Sequence, residues 1–69
     1  MNRYPIKSIN IFAIGYDEVT EILEIEFKLN VIHHYTQFPL DEFVSFMKSS
    51  NIEEYYFQFI LHKYNFDTL

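Results

Sequence analysis

The stretch Leu23-Glu24-Ile25-Glu26-Phe27 constrains this chain most. Apolar and charged residues alternate in it with a period of two, the pattern of a strand with one face buried and the other in water. Such a face needs something to pack against, so the pattern implies a sheet with a second layer over it. The strand is read as Thr20 to Lys28. Upstream, Ser8 to Tyr16 is rich in β-branched and aromatic residues and reads as another strand. Ile11 and Ile14 fall on opposite faces of a regular strand, which predicts a bulge, placed near Gly15. Asp17-Glu18 reads as a turn. Lys28-Leu29-Asn30 is short enough for a hairpin loop, with Asn30 suited to the left-handed conformation. Val31 to Phe38 is read as the third strand.

Pro39 ends the sheet and suits the first turn of a helix, with Asp41 and Glu42 near its positive end. Leu40, Phe43, Met47 and Phe46 supply an apolar stripe, and the helix ends near Ser49-Ser50. Asn51, with Glu54 three residues on, reads as the N-cap of a second helix running to about Tyr64. Ile52, Tyr56, Phe59, Ile60 and Lys63 share its core face, and the tail Asn65 to Leu69 is read as loose or lightly docked. The expected fold is α+β: a three-stranded antiparallel meander followed by two helices on one face, in the order β-β-β-α-α. Residues 1–69 form a single domain.

With 69 residues and no cysteine, no disulfide can stabilise that fold. Eight Phe and six Tyr supply the core instead. Ten acidic residues against five basic ones give a formal charge of -5, which opposes binding to phosphate backbones and to anionic membrane surfaces. No secretory h-region or membrane-length apolar run is present, so a cytoplasmic location is expected.

Read in order, the chain resembles the KTSC domain family. Ile6, Ser8 and Asn10-Ile11 are similar to its opening, Ile14-Gly15-Tyr16-Asp17 to its signature turn, and Leu23 to Phe27 to its second strand. Ile32 and Tyr35 fit its third strand, Phe38-Pro39 its hydrophobic-Pro step, and Phe43 and Phe46 its first helix. Tyr55-Tyr56, Ile60 and Tyr64 fit its last helix. The family stands alone in bacteria and phages and also closes some lysyl-tRNA synthetases, an attachment that implies nucleic-acid binding. This chain departs from the family pattern at Asn30, where Gly is usual, and at His33, where Tyr is usual. Phe57 and Leu61 stand where the family carries Asn and Arg.

Candidate sites follow from these readings. His33 and His34 are adjacent in a strand and point to opposite faces, so they share no metal ion readily, and His62 sits at no ligand spacing. Glu24 and Glu26 lack the contrast of environments that acid/base catalysis needs. There is no nucleophile elbow and no Gly-rich phosphate loop. Neither catalytic residues nor a cofactor is implied. Two binding surfaces remain. In the first, Phe57, Leu61 and Tyr64, at i, i+4 and i+7, form a second apolar stripe on the last helix. Either the tail folds over it through Phe66 or Leu69, or it meets a protein partner or a second copy. In the second, His33 and Tyr35 beside Glu24 and Glu26 offer a sheet face for base stacking, with the carboxylates repelling phosphate. The expectation is a small non-enzymatic protein-interaction module, an adaptor, inhibitor or self-associating protein; the alternative is an RNA- or tRNA-binding domain.

Overall fold

The computed structural model describes residues 1–69. Its elements run β1 (Arg3–Pro5), β2 (Ile11–Asp17), β3 (Ile22–Phe27), β4 (Val31–Tyr35), α1 (Leu40–Lys48), α2 (Ile52–Tyr55, continued as a wider turn over Tyr56–Ile60) and β5 (Phe66–Thr68). The α+β class and the two helices stand as read from the sequence. The sheet does not: it has five antiparallel strands in the order β1-β2-β3-β4-β5. The added strands are three-residue edges, exposed throughout. Strands so short carry no periodicity; they pair with the backbone of β2 and β4 and are pinned by Arg3 and Phe66, whose side chains reach Glu24 and His33. The tail is therefore a strand, with Phe66 opposite Tyr35 and Thr68 opposite His33.

The bulge in β2 lies at Phe12, between the pairs Ile11–Phe27 and Ala13–Glu26, and not at Gly15. It brings both Ile11 and Ile14 into the core, where each is fully buried. Gly15 sits mid-strand, opposite Arg3 and Glu24, so Ile14 to Asp17 is strand rather than turn. The β3–β4 hairpin turns through Lys28, Leu29 and Asn30. Leu29 and Asn30 both have positive φ, 70° and 63°. Asn accepts this region readily, whereas a leucine there carries strain.

Register divides the sheet into two faces. Leu23, Ile25, Tyr35 and His33 face the helices; Glu24, Glu26, Ile32 and His34 face away. On the helical side Ile11, Ile14, Leu23, Ile25, Tyr35, Phe38, Phe46, Tyr56 and Ile60 form one core. Phe46 is the fully buried residue of α1, while Leu40, at the start of the expected stripe, is half exposed. The helix starts at Pro39, whose carbonyl accepts the Phe43 N–H at 3.1 Å, and α2 is capped by Asn51, whose Oδ1 accepts the Glu54 N–H at 3.0 Å. No helix is long and apolar enough to cross a membrane.

Two carboxylates fasten the helices. Glu42 of α1 accepts from the Tyr55 hydroxyl, from Lys63 Nζ at 2.9 Å and from the Tyr64 hydroxyl at 3.0 Å. Burial alone would raise its pKa, but these three donors outweigh that and hold it below the usual carboxylate range. Its own burial, with the same contact, pushes the Tyr55 phenol up to about 12. Glu53, at the start of α2, accepts from the Ser8 hydroxyl, the Asn10 N–H at 2.8 Å and Asn10 Nδ2 at 2.9 Å.

Candidate interaction groove and outer ion row

The second helix changes pitch where its apolar stripe lies. The Leu61 N–H reaches back five residues, to the Tyr56 carbonyl, at 2.9 Å. A π-helical turn adds a residue to the cylinder and rotates everything after it relative to a 3.6-residue projection. Phe57 and Leu61 remain neighbours. Tyr64 is carried round to the start of α1, where its ring meets Phe38, just before the helix, at 4.5 Å and its hydroxyl binds Glu42. The expected trio is thus a pair, and Tyr64 belongs to the helix clasp.

Phe57 and Leu61 form one wall of a groove of about 310 Å³. The other wall is Phe27, Val31 and His33 of the β3–β4 hairpin, with Lys28, Leu29, Asn10 and Tyr56 completing it. A second recess shares Phe27, Lys28 and Leu29 and extends the surface to Phe12. Phe12, Val31 and Phe57 are 54%, 39% and 49% exposed, and Leu29 is 93% exposed. The tail leaves this groove open. Phe66 instead stacks on the His33 ring at 4.1 Å and tilts against Tyr35.

Beneath the groove floor runs a short polar chain. Tyr35 and Tyr56 share a hydrogen bond of 2.6 Å, and His33 Nδ1 lies 3.2 Å from the Tyr35 hydroxyl. Burial drives the Tyr35 phenol far above its ordinary value and the His33 imidazole below its own. Three polar groups thus satisfy one another inside an apolar wall.

The sheet-face alternative is not assembled as one surface. His33 and Tyr35 stand on the helical side with Ile25 and Leu23, and Tyr35 is fully buried. Glu24 and Glu26 stand on the opposite side, so the four residues are split by the sheet itself. The three-residue loop fixes this: it sets Phe27 opposite Val31 and hence Ile25 opposite His33.

On that outer side Arg3, Gly15, Glu24, His34 and Asp67 stand in one row across five strands. Gly15 is the bare position between Arg3 and Glu24. A Cβ there would lie 2.8 Å from the Asn2 carbonyl oxygen and 3.1 Å from the Met1 sulfur. Without it, the N-terminal residues close over the strand and Arg3 reaches across to Glu24, also binding Glu26 at 2.8 Å. His34 Nε2 meets the other Glu24 oxygen at 2.6 Å. Glu24 is only 7% exposed. Its pKa is lowered by the Arg3 hydrogen bond, against burial, with His34 assisting. No three potential metal ligands converge anywhere in the chain.

The family profile described as "KTSC domain" matches residues 7–64. The chain belongs to the KTSC domain family. Its fold is similar to the crystal structure of the KTSC domain protein YPO2434 from Yersinia pestis, with a TM-score of 0.93 and 26% sequence identity over 99% of this chain and 96% of that one. No protein of curated function matches the sequence.

Proposed function

We propose that this chain is a small non-enzymatic protein-interaction module whose binding surface is the groove between α2 and the β3–β4 hairpin. The observation that carries this reading is the continuous apolar surface from Phe12 through Leu29 and Val31 to Phe57, left open by the tail. Apolar surface in water costs about 25 cal/mol per Å². A chain that has completed its polar contacts elsewhere, and keeps such a surface in a concave place, is organised to bury it against a partner. Phe57 and Leu61 also stand where the family pattern carries Asn and Arg, which makes this wall more apolar here.

A random peptide library selected on the immobilised protein tests the reading. The expected binders carry apolar anchors and lose binding to the Phe57→Glu protein. A selection that enriches nothing, or enriches peptides indifferent to Phe57→Glu, overturns it. Bulk tRNA at low salt serves as the comparison, with no complex expected; a complex whose affinity falls steeply as salt rises would favour RNA binding instead.

A further inference from the structure

We infer that the occupant of this groove is a second copy of the chain, with Leu29 of each copy inserted between Val31, Phe57 and Leu61 of the other. The inference rests on the proposed function and narrows it to one partner. Leu29 is the most exposed large apolar residue of the molecule, at 93%, and its backbone is left-handed at φ 70°, ψ 27°. Both properties work against the isolated chain. Asn or Gly would fit the turn at lower cost and leave no apolar side chain in water. A leucine at a hairpin tip is instead a knob, and the groove whose rim it forms opens directly beside it. A surface carrying knob and hole side by side is self-complementary, as a two-fold contact requires: residue i meets j, and j meets i.

The charges agree. The chain carries -5 overall, which opposes bringing two copies together. The charged residues bordering the two recesses are Lys28 and Glu26; Glu26 already holds Arg3 at 2.8 Å, so Lys28 is the charge left there to offset repulsion between two acidic chains. Lys28 forms no ion pair within the chain, while Arg3 and Lys63 do. The whole accessible surface is 4674 Å². A standard interface takes about 800 Å² from each partner, about a sixth of that surface, whereas this contact is one hairpin tip against one helix wall, so it belongs to the weak, concentration-dependent class.

Sedimentation velocity on the intact chain, from low-micromolar to millimolar concentration, tests the inference. The expected result is a reversible monomer–dimer equilibrium. Leu29→Asn should weaken it about tenfold or more, as loss of an interface anchor does, while the thermal midpoint of the dilute protein holds or rises. Phe57→Glu should weaken it as well. Sedimentation as a monomer throughout overturns the second-copy inference, as does a dimer whose constant Leu29→Asn leaves unchanged. A strict monomer that still selects Phe57-dependent peptides refutes the second copy alone. A strict monomer that selects none refutes the groove as a binding surface too.

Discussion

On the outer face of the sheet, the carboxylate withdrawn from water has found its partners inside the chain. Glu24 holds Arg3 and His34, and Gly15 leaves the gap that lets Arg3 reach it. At the hairpin end of the molecule the reverse holds: Phe12, Leu29, Val31 and Phe57 each keep more than a third of their surface in water. A buried charge without a partner costs several kcal/mol and threatens the fold, so it must be completed within the molecule. An exposed apolar side chain costs less and can wait for another molecule. The contrast separates a row that serves folding from a groove available for binding, and each change below acts on one side of it.

The largest effect expected is from acid. Arg3 lowers the Glu24 pKa, three hydroxyl and amine donors lower that of Glu42 despite its burial, and the Ser8 hydroxyl with Asn10 lowers that of Glu53. For a group whose folded pKa lies below its unfolded one, the unfolded chain binds the proton first. The stability it contributes is present above the unfolded value, near 4.3 for Glu, and is lost as pH falls through the folded value. His33, whose pKa burial lowers, acts in the same direction and begins earlier, near 6.5. The urea midpoint should therefore slip slightly below about pH 6.5 and fall steeply below about 4.3. A midpoint equal at pH 7 and pH 3 would show that these carboxylates do not hold the elements together.

Glu24→Gln comes next. It leaves Arg3 and His34 beside an uncharged amide, at an expected cost of about 2 kcal/mol, below the fully buried range because Arg3 is a third exposed. Amide exchange in Arg3–Pro5 should accelerate more than in Ile22–Phe27. A uniform change would mean that the row does not single out β1.

Gly15→Ala is expected to cost about 1–2 kcal/mol by overpacking. Its φ is not positive, so the effect is steric, through the Asn2 carbonyl and Met1. Removing residues 1–3 should abolish the penalty; a penalty that persists would place the clash elsewhere. On the other side of the contrast, Phe57→Ser should lower the stability of the dilute protein by no more than about 1.5 kcal/mol, since half of the ring is already in water. A loss of several kcal/mol in chemical denaturation would make Phe57 a core residue and close the groove.

The central strands and both helices were legible because each carries its own period: two from Leu23 to Phe27, and helical spacing around Phe46, Tyr56 and Ile60. The edge strands were not, since Arg3–Pro5 and Phe66–Thr68 are three exposed residues each and take their structure from a neighbour's backbone. Half of the groove was legible in Phe57 and Leu61. Tyr64 was misplaced because the π-helical turn breaks the period that linked it to them. Val31 and Leu29 could not be found from the helix, since they arrive from a hairpin distant in sequence. The split between Glu24, Glu26 and His33, Tyr35 was within reach: a loop of Lys28, Leu29 and Asn30 sets Phe27 opposite Val31, and the alternation then puts His33 with Ile25.

The most direct measurement is a ¹⁵N-resolved NMR concentration series on the intact chain, read residue by residue. The expected result is a set of concentration-dependent shifts confined to Lys28 to Val31 and Phe57 to Leu61, with Arg3, Gly15, Glu24 and His34 unmoved. Shifts centred on that outer row, or none at millimolar concentration, would contradict the assignment of the groove as the surface where copies of this chain meet.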